Sequence, residues 1–438
     1  MLRLLLMACV FLGLSLASCG ADSDRRQNAI DRIAESYVKL TLEIGLYDPD
    51  FVDAYYGPPE WKPAPLDSGA THEIPRDELC GMADGLLADL AAIDTKRLDD
   101  IGRRRLAFLR AHIVSAKVRI ELVAGKKMSF DEESRALYDV VAPPCSVDFL
   151  ESALSELERL IPGTGDLPAR VEAYRNQFVI PKDRIDTVFA AAIAEARERT
   201  RRHIALPDDE SFDIEYITDA SWGAYNWYKG NYHSLIQLNV GLPVYIGSPL
   251  GLAVHEGYPG HHVQNILIEK HLLRDRGWVE YSVQPLYCPQ ATINEGGANY
   301  AIAIAFTEEE RITFARDVLF PLAGLDPSRA GEYHRFEQLI KRLRCAGAEA
   351  VRRYLDGHIS REDAIAWMCR YALYSPERAE RYLRFGEHYR SYVVTYGVGE
   401  DLVRDYIERT AASSGDAEYR WELLRDLCAI PHLPSDLE

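Results

Sequence analysis

From residue 30 the apolar positions recur at helical spacing, and Ile30, Ile33, Ala34, Tyr37, Leu40 and Ile44 mark the inner face of an amphipathic helix over 27–46. Asp48 to Trp61, carrying Tyr55-Tyr56-Gly57-Pro58-Pro59, reads as the turn that ends it. The same period predicts helices at about 75–93, 96–125, 129–140, 146–161, 167–178 and 181–204, with Ser129 and Glu132 spaced as a capping box. Pro143-Pro144, Pro162-Gly163 and Pro207 punctuate them. At Ser211 the texture changes: Phe212, Ile214 and Tyr216 alternate with Asp213 and Glu215, the period-two pattern of a half-buried strand, and His233 to Val240 reads as a second strand. Trp222, Tyr225, Trp227, Tyr228 and Tyr232 lie between the two, large rings that serve core or rim as readily as a binding site. Helical spacing resumes at Pro289 and runs to about 430, with Tyr371, Tyr374, Tyr382, Tyr389, Tyr392 and Tyr396 along it. The fold class this predicts is mainly α with a small β-sheet. An N-terminal helical lobe over 28–205 and a second lobe over 206–438 would form one folded unit.

The first residues lie outside that scheme. Met1 to Ser18 carries one Arg, an apolar run from Leu4 to Leu16 and a small-residue end, the pattern of a signal peptide too short to span a bilayer. Leu16-Ala17-Ser18-Cys19 resembles the bacterial lipobox, which implies a lipidated Cys19, a tether over 19–27 and an envelope lipoprotein. Gly20 after that Cys implies the outer membrane, periplasmic side; an ordinary signal peptide cleaved nearby is the other reading. A net charge of -18 argues against nucleic acid as partner and against docking on an anionic membrane surface, leaving the lipid anchor as the expected membrane contact. Cys80, Cys145, Cys288, Cys345, Cys369 and Cys428 are too scattered for a thiolate zinc site; an oxidising envelope permits disulfides, with connectivity open.

Chemistry concentrates in Ser248-Pro-Leu-Gly-Leu-Ala-Val-His-Glu-Gly-Tyr-Pro-Gly-His-His-Val-Gln-Asn265. Ser248 can cap a helix and Pro249 suits its first turn, which sets His255 and Glu256 about two turns in. An unbroken helix would put His255 and His261 roughly 240° and 9 Å apart, too far to share one ion. Pro259 and Gly260, however, predict a break or bulge that could bring His261 back, Gly260 by tolerating positive φ. His262, nearly in angular phase with His255 but two turns along the axis, is the weaker ligand candidate. Spacing alone leaves a metal site and a buried, hydrogen-bonded histidine cluster both open.

His255-Glu256-Gly257-Tyr258-Pro259-Gly260-His261-His262-Val263-Gln264 resembles the H-E-x-x-P-G-H-H-x-Q motif of the bacterial domain-of-unknown-function 885 family, whose members are generally regarded as zinc peptidases. Glu295-Gly296-Gly297-Ala298-Asn299-Tyr300 is similar to a second landmark, Glu-Gly-Trp-Ala-x-Tyr, with Gly297 in place of Trp. Tyr396-Gly397-Val398-Gly399 is similar to a third, Tyr-x-x-Gly. The resemblance implies a thermolysin-like (zincin-type) metallopeptidase whose small sheet lies beside the active-site helix. It also favours Glu295 as a third ligand over an exposed helical glutamate. Zinc would then be held by His255, His261 and Glu295, with Glu256 as general base toward a peptide substrate. Tyr396, before two glycines that suggest a tight turn, would donate to the oxyanion or cap a core helix. Two His and one carboxylate also serve non-haem iron enzymes, and an inactive envelope binding or scaffold protein is the reading from another class.

Overall fold

In the computed structural model the chain is described over residues 29–67, 72–220, 222–412 and 416–438. The expected signal peptide and tether therefore lie outside the described residues. The molecule is mainly helical, as the periodicity predicts. Helices at 29–44, Arg76–Ala91, Asp100–Val123, Phe130–Tyr138, Val147–Leu160, Leu167–Asn176 and Ile185–His203 fall inside the expected ranges. The Ser129–Glu132 capping box closes in both directions.

Among the described residues five strands form two small sheets. β1 (Val52–Tyr55) pairs antiparallel with β5 (Val283–Pro285). β2 (Ser211–Ile217), β3 (Ala224–Gly230) and β4 (His233–Asn239) form the other, in the order β2-β4-β3, with β2 parallel and β3 antiparallel to β4. β2 and β4 are the strands the alternation predicts. β3 is the aromatic run, and β1 lies within the stretch expected to be only a turn.

Two large buried clusters hold the fold. One joins the helices from Leu150 to Ile204 to β4, to the segment Leu250–Leu267 and to the C-terminal helices. The other joins residues 30–140 to Val283–Ala291 and to Ala350–Val394. Neither cluster ends near residue 205, so the packing follows a different partition from the expected lobes: each core takes helices from both halves. Arg105, 1 % exposed, is clamped between Glu280 and Asp31 and ties the Asp100–Val123 helix to the turn before β5. A disulfide joins Cys145 to Cys345, while Cys80, Cys288, Cys369 and Cys428 are free. Among the described residues no helix is long and apolar enough to cross a membrane.

Candidate metal centre

The helix that carries the histidines starts at Ser248, with Pro249 in its first turn. Gly247 rather than Ser248 occupies the capping position, and no side chain caps it. Over Ala253–Gly257 the helix widens into a π turn, Tyr258 is extended, and a new helix starts at His261. The break is the one Pro259 and Gly260 predict, but glycine is required there for a different reason. Gly260 has φ of -76°, and a Cβ on it would stand 2.0 Å from the His255 carbonyl oxygen. The chain folds back hard against its own preceding turn, and only a residue without a side chain fits.

Folding back brings the His255 and His261 rings to 4.6 Å between centroids, at 84° to one another. Glu295, from the helix Pro289–Ala305, completes the group: its Oε2 lies 3.5 Å from His255 Nε2 and 3.8 Å from His261 Nε2. One ligand atom from each residue falls within 4.8 Å of the others. Glu295 Oε2 is buried without a hydrogen-bond partner, while Oε1 accepts from the Tyr392 hydroxyl at 3.0 Å.

Surrounding side chains fix the ligand atoms in place. His261 Nδ1 meets Gln264 Oε1 at 3.0 Å, and the Gln264 amide donates to the Asn294 carbonyl at 3.0 Å. That chain orients Gln264 Oε1 as acceptor, so Nδ1 carries a proton whether or not the ring is charged, and Nε2 faces Glu295. Gly297 makes room for it, since a Cβ there would stand 2.8 Å from Gln264 Nε2. Burial, and then the neighbouring His261, lower His255 to about 4 and keep that ring neutral. For His261 burial also disfavours the cation, but the Glu295 carboxylate outweighs it and holds the pKa up at about 9. Glu295 is correspondingly held below the usual range, burial being outweighed by His261.

His262 points elsewhere. Fully buried, it meets Ser234 with Nδ1 at 2.8 Å and Glu210 with Nε2 at 3.0 Å, so both ring nitrogens are engaged at the junction with the sheet. His233 lies on β4 near Ser211 and Asp213, outside the group.

Glu256, next to His255 on the π turn, is buried, and burial pushes its carboxyl up to about 7, with His261 drawing it down and Glu295 adding to the rise. Tyr396 lies not in a turn but in the first turn of the helix Val394–Ala411, which continues through Gly397 and Gly399. The residue is 39 % exposed, and its ring stands 5.6 Å from the Tyr392 ring at 88°. Around the hydroxyl, burial first and the charge of Glu295 next hold its proton on well above the usual range.

Two residues of this centre escape sequence reasoning, and a third is legible only in part. Asp53 comes from β1, Asn226 from β3, and Tyr392 from the last turn before the Tyr396 helix. A four-residue strand leaves no usable period, and Asn226 is hidden in an aromatic run. Tyr392 was legible only as a neighbour one turn from Tyr396. Asp53 and Asn226 line a cavity of about 120 Å³ together with His261, Glu295 and Tyr392.

Among known proteins, the chain matches no family model and no curated sequence. Solved structures are similar to it, among them two candidate lipoproteins. A candidate lipoprotein from Colwellia psychrerythraea aligns over 86 % of this chain and 69 % of its own, at 14 % identity and a TM-score of 0.51. A candidate lipoprotein of unknown function from Shewanella oneidensis aligns over 80 % of this chain and 72 % of its own, at 14 % identity and a TM-score of 0.43. The first is a likeness of fold.

Proposed function

We propose that the protein is a zinc-dependent peptidase of the bacterial envelope, thermolysin-like in its fold and related to the domain-of-unknown-function 885 family. The observation that carries this reading is the orphaned Glu295 Oε2, a buried carboxylate oxygen facing two imidazole Nε2 atoms at 3.5 and 3.8 Å. A buried acceptor without a donor is costly, and a cation between these three atoms removes the cost. Two His and one carboxylate are a donor set that suits zinc and leaves a position open for water. His255, His261 and Glu295 would hold the ion, which when bound supplies a Lewis acid that acidifies water and polarises a carbonyl.

The chain's own residues account for the remaining chemistry. Glu256 is adjacent to a ligand and buried, with its carboxyl near 7, so it can take a proton from attacking water and return it to the leaving amine. Tyr396 keeps its proton at neutral pH and can donate it as a hydrogen bond to the developing oxyanion. A metal ion needed only for structure has no use for a base beside its ligand, which favours hydrolysis over an inert scaffold. The Glu256 carboxylate also favours hydrolysis over iron-dependent oxygen chemistry, which employs the same three-residue set.

Two experiments test the reading. Metal analysis of purified protein should return one zinc per chain, and a mixed-peptide digest read by mass spectrometry should show new termini that disappear with a chelator. Stoichiometric iron, or no cleavage of any peptide, would reject it. The envelope location rests on Leu16-Ala17-Ser18-Cys19, with support from the candidate lipoprotein of similar fold. Cys19→Ser should abolish lipid labelling and release soluble protein; membrane association surviving that change would require another tether.

A further inference from the structure

One wall of the cavity beside the candidate metal ligands sets a carboxylate beside an amide oxygen that has nothing to accept from. Asp53 is held there by the pairing of β1 with β5, and one of its oxygens takes a hydrogen bond from the Tyr225 hydroxyl. Among the described residues, no Lys, Arg or His stands within ion-pair distance of it. Its carboxyl is pushed up to about 7 by burial, with His261 drawing it down and Glu295 adding to the rise. Asn226 supplies the second acceptor. Its Nδ2 donates to the Glu256 carbonyl at 2.7 Å, which fixes the amide orientation, and its Oδ1 is buried with no partner.

The complement of a carboxylate and an amide oxygen is a cation rich in N–H donors. A second metal ion is a poor candidate, because Asp53 stands outside the group whose ligand atoms lie within 4.8 Å of one another. Its near neighbours Asn226 and Tyr225 are neutral and make a weak ligand set. An ammonium carries three donors and needs no coordination number. Space points the same way. The cavity of about 120 Å³ has room for the end of a side chain or of a peptide.

We propose that Asp53 and Asn226 Oδ1 receive a protonated primary amine of the substrate, the free N-terminus of a peptide or the side-chain amine of a lysine, and so place the adjacent bond at the metal centre. The inference rests on the peptidase reading for its reaction but not for its binding site. An N-terminal amine in that place would make the enzyme an aminopeptidase.

Binding of three probes to the full mature chain, by calorimetry with zinc and again after chelation, tests it: alaninamide, N-acetyl-alaninamide and N-acetyl-lysinamide. Alaninamide should bind in both states and N-acetyl-alaninamide in neither. Asp53→Asn, a near-isostere that can still accept from Tyr225, should weaken alaninamide at least tenfold with zinc content and Tm kept. Asn226→Ala should act in the same direction and serves if the first variant does not fold. Binding of N-acetyl-lysinamide with the same dependence on Asp53 would assign the amine to a side chain. Equal binding of the acetylated and free alanine amides, unchanged affinity in Asp53→Asn, or no binding by any amine probe overturns the inference. A digest separates the two proposals. Equal kcat/KM for free and N-acetylated peptides, and for peptides with and without lysine, removes the amine site and leaves the peptidase. Amine binding without cleavage of any peptide removes the peptidase and leaves the amine site.

Discussion

Gly296 and Gly399 touch backbone to backbone where the helix Pro289–Ala305 crosses the helix Val394–Ala411. A Cβ on Gly296 would stand 2.2 Å from the Gly399 carbonyl oxygen, and one on Gly399 would stand 2.4 Å from that of Thr292. Glu295 precedes Gly296, and Tyr392 and Tyr396 lie just ahead of Gly399. The closeness of this crossing therefore sets where a carboxylate and two phenols meet.

Gly296→Ala should push the helices apart, because the atoms it strikes are main chain and cannot swing away. Overpacking of this kind costs about 1–3 kcal/mol, and the shift should also displace Glu295 and weaken zinc binding. Gly81→Ala, in a helix where an added Cβ meets nothing within 4 Å, should instead stabilise by about 0.4–1 kcal/mol. Denaturant midpoints and zinc content of both variants check the contrast. A Gly296→Ala protein with unchanged stability and full zinc would mean the crossing does not control the centre.

His262 and His261 are neighbours in sequence with opposite duties. His262→Ala should keep stoichiometric zinc while losing about 2–4 kcal/mol, from the cavity and from the lost hydrogen bonds to Ser234 and Glu210. His261→Ala, like His255→Ala and Glu295→Ala, should lose zinc. Metal loss in His262→Ala at unchanged stability would reverse the assignment.

Much of this was legible in the sequence, and the reason lies in period and length. The long helices carry several turns of apolar spacing, and β2 alternates for seven residues. The helix break could be placed at Pro259 and Gly260 because proline removes a donor wherever it stands. β1, four residues long, is too short to show a period, and its role follows from pairing with β5, more than 200 positions away. The glycines of Tyr396-Gly397-Val398-Gly399 were misread as a turn because a glycine needed for close approach and one needed for positive φ look alike in sequence. The close fit of Gly297 against Gln264, where a Cβ would stand 2.8 Å from Nε2, is visible only in the structure.

Tyr392 and Tyr396 should separate by readout. Tyr392→Phe removes the hydrogen bond to Glu295 Oε1, and loss of such a support typically weakens metal binding about 10–100-fold. Tyr396→Phe should leave zinc affinity and Tm alone and lower kcat by about 10²–10³, the usual effect of removing one oxyanion donor. Competition with a chelator and steady-state kinetics on both variants decide the matter. A fall in kcat of less than about threefold, far short of that loss, would place Tyr396 in the structural class.

Glu256→Gln should retain zinc and fold and abolish hydrolysis, since an amide cannot accept the proton of attacking water. Stability should hold or rise slightly, because burial already disfavours the Glu256 carboxylate and holds its pKa near 7. Turnover equal to that of the parent protein would exclude Glu256 as the base.

Zinc uptake should release a proton, and His261 is its source. In the metal-free protein its pKa is raised to about 9: burial opposes the cation, but Glu295 outweighs it. The ring is therefore protonated at pH 8, and ligation requires it neutral. His255, lowered to about 4, has no proton to give at that pH, and Glu256, near 7, is already largely ionised. Calorimetry at pH 8 in buffers of different ionisation enthalpy should return at least one proton released per zinc bound, that of His261, beside any given up by metal-bound water. Affinity should fall about tenfold for each pH unit below 9 until Glu256 begins to contribute near 7, and should level off above 9, where His261 is neutral before zinc arrives. A release near zero at pH 8 would mean that His261 is not the group the metal displaces a proton from, and the ligand set would have to be drawn again around His255 and Glu295.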